Sequence, residues 1–153
     1  MTEKDLTENL AALLIFIESH IAREIPDRDT FNPYGILLKR EKNALQMVFL
    51  ETTDDSDSVL KGRPAPQMAR RIEDMIHSHR TNPSVESAAL VMDAHLRATE
   101  GGDESEAVIV WLDDRGRQSV RVILSYELKG GKFCVTSRTI EARHPFFLPP
   151  NET

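Results

Sequence analysis

The sequence predicts an α+β protein in which one antiparallel sheet of about six strands carries two helices, in the order α-β-β-α-β-β-β-β. Three observations predict it. In the last third, Ala107 to Leu112, Gln118 to Tyr126 and Phe133 to Ile140 are apolar, β-branched runs separated by Asp113-Asp114-Arg115-Gly116 and Lys129-Gly130-Gly131. Short glycine-bearing breaks between such runs are hairpin signals, because glycine supplies the positive φ that tight connections need. Near the start, Leu6, Leu10, Leu13, Leu14, Ile17 and Ile21 fall at helical spacing. Between these regions a second helical stripe lies between a proline-rich entry and an Asn-Pro stop.

The first helix is expected over residues 4–23, with Thr2 or Asp5 as its cap and Pro26 forbidding continuation. Ile15 and Phe16 widen its apolar face beyond what one sheet surface covers, so the helix is either sandwiched by its own chain or contacts a second subunit. Phe31-Asn32-Pro33-Tyr34-Gly35 is turn chemistry leading into strands at 36–39 and 45–51, joined at Asn43. The polar, acidic stretch from Thr52 to Gly62 reads as a loop. A second helix follows over 66–80, with Met68, Ile72, Met75, Ile76 and His79 on one face and Asn82-Pro83 as its stop.

Residues 85–99 fit two periods. Ala88, Leu90, Met92, Ala94 and Leu96 alternate as in a strand, whereas Val85, Ala88, Ala89, Met92 and Leu96 suit a helix. A strand at 86–98 is chosen, because the next segment is a strand after a short break at Gly101-Gly102 and consecutive strands usually pair. The meander continues at 107–112, 118–126 and 133–140. The elements Phe31-Asn32-Pro33-Tyr34-Gly35, the strand with Asp93, Glu106-Ala107-Val108-Ile109-Val110 and Ser125-Tyr126 resemble small, uncharacterised bacterial α+β proteins of unknown function, over about residues 31–126. The resemblance implies the same fold class and a strand at 86–98. It carries no catalytic residues.

At 153 residues the chain fits a single domain, 1–153, able to bury a core without disulfides or a structural metal, and 144–153 form a short apolar tail. Its 40% hydrophobic and 29% charged residues are ordinary for a soluble protein, and no apolar run approaches a membrane span. Acidic residues precede Leu10 to Ile17 where a secretory signal would be basic. A cytoplasmic protein is expected, in keeping with the lone Cys134. The net charge of −6 argues against nucleic acid as a partner and would steer a basic one.

If 86–98 is a strand, Asp93, His95 and Arg97 form a row on one sheet face, mixing groups used for acid/base chemistry or anion binding. A solvated face with ordinary cross-strand pairing explains the same row. His77 and His79 splay to nearly opposite sides of a helix, and Asp54-Asp55-Ser56-Asp57-Ser58 lacks the glycine and terminal glutamate of a calcium loop, so neither a metal nor a cofactor is expected. Cys134 has no nucleophile signature around it, and the double glycines do not belong to a phosphate cradle. The aromatics Phe146 and Phe147 of the tail should dock, on their own sheet or on a second subunit.

These features lead to a non-enzymatic module that binds another protein, as an adaptor, small chaperone or toxin inhibitor, with Asp93, His95 and Arg97 as binding residues. Ile15, Phe16, Phe146 and Phe147 are candidate interface residues of a homodimer. The alternative is a small enzyme or small-molecule-binding protein built on the Asp93, His95, Arg97 row.

Overall fold

The computed structural model describes residues 1–24, 31–51, 65–97 and 104–149, and within these the side chains of 65, 95–97, 104 and 105 are not described. The acidic loop at 54–58, Gly101-Gly102 and the end of the tail from 150 onward lie outside the described residues. Two α-helices, α1 (Glu8–Glu24) and α2 (Ala65–His77), accompany six strands: β1 (Tyr34–Glu41), β2 (Ala44–Leu50), β3 (Val85–Arg97), β4 (Glu104–Asp114), β5 (Gln118–Lys129) and β6 (Lys132–Ala142). The strands form one antiparallel sheet in the order β2-β1-β3-β4-β5-β6, so the expected fold class and element order hold.

Local chemistry accounts for the connections. Lys42 and Asn43 take φ of 49° and 68° between β1 and β2, the two positive values that a two-residue hairpin requires, and Gly130 and Gly131 do the same between β5 and β6 at 59° and 78°. β3 is a strand from Val85 to Arg97, in register with β1 on one side and β4 on the other. Its mixed periodicity has a simple origin: the strand is covered on both faces, so Ala88 and Leu90 are buried on one side while Ala89 and Val91 are buried on the other.

Most element boundaries shift by one to four residues from the sequence expectation, and two of the shifts, both in helices, have a local cause. The first helix does not begin at residue 4. Glu3–Asp5 form a separate 3-10 turn, closed by the Asp5 carboxylate accepting the Thr2 backbone N–H at 2.8 Å, and the chain then turns extended at Leu6. The cap of α1 is Thr7, whose Oγ1 accepts the Leu10 N–H at 3.3 Å while its carbonyl accepts the Ala11 N–H at 2.8 Å. The second helix ends at His77 rather than 80, because the N–H groups of His79 and Arg80 bond back three residues, to Ile76 and His77, which tightens the chain into turns.

The helices lie on opposite faces of the sheet. α1 buries Leu10, Leu13, Leu14, Ile17 and Ile21 against Ile36, Val91, Val110, Val122 and Leu124. Burying each such side chain is worth about 1.5 to 3 kcal/mol. α2 packs Ala69, Ile72 and Ile76 over Leu37, Ala88 and Leu90, and the tail completes that layer with Phe147 and Leu148, 3% and 1% exposed. Where α2 crosses β1 the sheet offers Gly35, and a Cβ there would stand 2.8 Å from Ile72 Cγ2 and 3.3 Å from the Ala89 carbonyl oxygen. The helix can seat against the strand only because that position has no side chain.

Candidate functional site

Asp93, His95 and Arg97 all lie on β3, and Asp93 falls on the α1 face with Ala89 and Val91, while Leu90 and Met92 point to the α2 side. Of the three, the side chain of Asp93 is described; those of His95 and Arg97 are not, though their backbones pair with Glu106 and Glu104. Asp93 meets two residues that the sequence row did not include. The Tyr126 hydroxyl lies 3.3 Å from Asp93 Oδ1 and 3.5 Å from Glu106 Oε2, so one O–H donor serves two carboxylates on three adjacent strands. Burial first, and then the two carboxylates, push the Tyr126 hydroxyl well above its ordinary pKa. It remains a donor and not a base. Phe133 packs on the ring at a centroid distance of 4.8 Å.

A second group of polar side chains gathers at the carboxyl end of α1. His20 Nδ1 and the Tyr34 hydroxyl are 3.2 Å apart, the tautomer of the imidazole deciding which donates. Both rings belong to an aromatic cluster with Phe16 and Phe49, and Phe31 packs at a tilt against Tyr34 with ring centroids 6.0 Å apart. Beside them opens a cavity of about 250 Å³ lined by His20, Glu24, Phe31, Tyr34 and Glu51 among others. Tyr34 is 4% exposed, and burial followed by the charges of Glu24 and Glu51 holds its hydroxyl far above the usual phenol range. Sequence reasoning flagged Phe31 to Gly35 only as a turn. The converging residues come from α1, β1 and the end of β2, and no local spacing connects them.

The sheet edge formed by β2 is the third candidate surface. Among the described residues β2 pairs only with β1. Its sequence, Ala44–Leu50, contains no charge and no proline, and Leu45, Met47 and Phe49 are 48%, 36% and 39% exposed. The opposite edge, β6, is guarded differently. It carries Lys132, Arg138 and Glu141, with Arg138 Nη2 paired to Glu18 of α1 at 2.6 Å and Arg121 Nη2 of β5 paired to Glu141 at 2.5 Å.

The four expected interface residues fall in two places. Ile15 is 68% exposed on the outward side of α1, whereas Phe16 is half-buried against Phe49 and His20. Phe147 is buried under α2 and Phe146 half-buried, meeting Trp111 edge-on at a centroid distance of 6.4 Å, so the tail docks on its own sheet. Cys134 is half-buried in β6, and among the described residues no group of three His, Cys, Asp or Glu side chains is placed to hold a metal ion. No helix among them is long and apolar enough to cross a membrane. Compared with protein-family models, curated proteins and solved structures, the chain matches none.

Proposed function

We propose that this is a non-enzymatic, cytoplasmic protein-binding module that receives an extended strand on the outer edge of β2. The observation that carries the reading is the contrast between the two edges of the sheet: β6 is charged and ion-paired, while β2 presents an uncharged backbone edge flanked by Leu45, Met47 and Phe49. A strand edge offers alternating N–H and C=O groups that a second strand satisfies, and the side chains beside it supply apolar contact. The acidic net charge favours a basic partner.

A second copy of the chain also suits this edge. Antiparallel pairing about a twofold at Met47 would set Leu45 opposite Phe49 of the other copy, with all three apolar side chains on one face. The test replaces Met47 with lysine, a charge that strand edges use against pairing. Light scattering at micromolar concentration should then fall from twice the chain mass to one. If the unaltered protein is monomeric, a photo-crosslinker at position 45 should capture a discrete partner in cells, lost in Met47→Lys and absent when the crosslinker is at Thr139 of β6. Equal capture from both edges, or none, would refute strand docking.

The alternative, a small-molecule site or small enzyme on β3, is favoured by the Asp93, Tyr126, Glu106 grouping. Its test is ligand binding lost in Tyr126→Phe with the fold retained.

A further inference from the structure

The cavity at the carboxyl end of α1 has the features of a site for an organic cation. Its walls include the rings of Phe31, Tyr34 and His20, and its rim carries the exposed carboxylates of Glu24 and Glu51. Aromatic faces attract cations through their quadrupole, and the attraction grows when the cation is partly removed from water. The helix contributes in the same sense. α1 ends at Glu24, beside the cavity, so the partial negative charge of its terminal carbonyls adds to the two carboxylates.

Nothing described in the wall neutralises this field. Among the described lining residues there is no lysine or arginine. The Tyr34 hydroxyl, held protonated by burial and by Glu24 and Glu51, senses the same negative potential from inside the wall. It is a neutral hydrogen-bond group at the cavity, paired with His20 Nδ1 at 3.2 Å.

Size narrows the class of ligand. Sites for drug-sized molecules run to roughly 300 to 1,000 Å³. At about 250 Å³ this cavity suits a single side-chain-sized group. A bare metal ion is a poor match, since the described side chains include no set of three metal-ligating groups at coordination geometry. An ammonium or guanidinium on a short alkyl stem fits better, its head against the carboxylates and its stem along the rings.

We infer that the cavity bounded by His20, Phe31, Tyr34, Glu24 and Glu51 binds an alkylguanidinium or alkylammonium group. The inference stands apart from strand docking on β2, because it rests on the cavity and not on the edge. The group has two possible sources, a free amine or guanidine and a basic side chain of a bound protein. Phe49, whose ring is 5.9 Å from Tyr34 and 5.3 Å from His20, joins the cavity to the β2 edge. A basic side chain from a strand on that edge is therefore within reach of it.

The test uses the isotopically labelled full chain and follows amide resonances of Phe31, Tyr34 and Glu51 by NMR during titration with n-butylguanidinium, n-butylammonium and the neutral n-butylurea. The two cations should give saturable shifts with a dissociation constant on the order of 1 mM, as suits ligands of so few atoms. Butylurea should give none. The double variant Glu24→Gln, Glu51→Gln should weaken cation binding about tenfold, and added salt should weaken it too, because both carboxylates are exposed and screened. Circular dichroism should be unchanged, since neither side chain is in the core. A second arm compares a capped, strand-forming peptide carrying one arginine with its citrulline counterpart. Tighter binding of the arginine peptide than of butylguanidinium assigns the site to a protein side chain, and equal binding assigns it to a free cation. Absence of saturable shifts up to about 20 mM of either cation, an affinity too weak to matter, or equal shifts with butylurea, would overturn the inference.

Discussion

Asp113 holds Phe147 in place: its Oδ2 accepts the Phe147 backbone N–H at 2.6 Å, and the same carboxylate accepts the N–H groups of Phe146 at 2.9 Å and Leu148 at 3.2 Å. Asp113 is fully buried at the end of β4, so one side chain substitutes for the strand or helix partner that this irregular tail lacks. Replacing it with alanine leaves three amide donors without an acceptor or releases the tail and exposes Phe147 and Leu148. Either outcome costs about 3 kcal/mol. Trp111 is the only tryptophan and meets Phe146 edge-on, so Asp113→Ala should lower the thermal midpoint and shift tryptophan emission to the red.

Burial raises the Asp113 carboxyl above its ordinary range, against the opposing pull of the tail N–H groups. The folded protein therefore holds the proton more tightly than the unfolded chain. The contribution from this linkage is fully present below the unfolded value and is lost as pH rises through the folded one. Glu86 runs the other way. Hydrogen bonding from Arg40 Nε, at 2.6 Å, holds its carboxyl below the usual glutamate range despite partial burial. Its contribution should be present above the unfolded value and vanish as pH falls through the folded one. With side chains 45% and 29% exposed, Arg40 and Glu86 form a largely solvated pair, so Glu86→Gln should cost about 0.5 kcal/mol near neutrality and nothing in acid. Urea melts of both proteins across that pH range measure the difference.

Gly35→Ala should destabilise the protein by about 1 to 3 kcal/mol through overpacking against Ile72, Ile76 and the Ala89 carbonyl. Because the closest atom is Ile72 Cγ2, the cost in an Ile72→Ala background should be smaller than in the native one. A double-mutant cycle by denaturant titration reads the coupling. Additive effects would mean that α2 shifts freely over β1.

Ile15 and Phe16 should respond oppositely to a charge. Ile15→Glu places a carboxylate on the outward side of α1, 68% exposed, and should change stability by no more than about 0.5 kcal/mol and leave the mass in solution unaltered. Phe16→Glu removes a ring packed on Phe49 at 5.7 Å and on His20, and should cost about 2 kcal/mol or more. Loss of a dimer in Ile15→Glu would move the subunit contact from the β2 edge to α1.

What the sequence made legible follows the range over which each interaction acts. The hairpins could be read because Asn43 and Gly130-Gly131 encode their own turns, and α1 because its stripe repeats at helical spacing. β3 was ambiguous between two periods because burial on both faces removes the polar half of the alternation. Within the site, Asp93 could be found because it interrupts an apolar strand. Its neighbours Glu106 and Tyr126 could not, since they become adjacent only when β4 and β5 are in register. The capping role of Asp113 was hidden in the same way, by a turn composition that explains an aspartate equally well.

The strand order carries a consequence for how the chain reaches its native state. β3 to β6 are neighbours in both sequence and space, so that meander is assembled from short-range closures. β1 must instead find β3, with Tyr34 meeting Val91 more than fifty residues further along the chain, after β2 and α2 have intervened. The β1–β2 hairpin is thus the late arrival, added to an existing platform. Until it docks, the edge of β3 that pairs with β1 is open, and so is part of the surface that α2 is to cover. Refolding followed by pulsed hydrogen exchange should protect Val108 to Leu112 and Val120 to Leu124 before Ile36 to Leu38, and slow-folding variants should be those that weaken the β1–β3 seam rather than the meander.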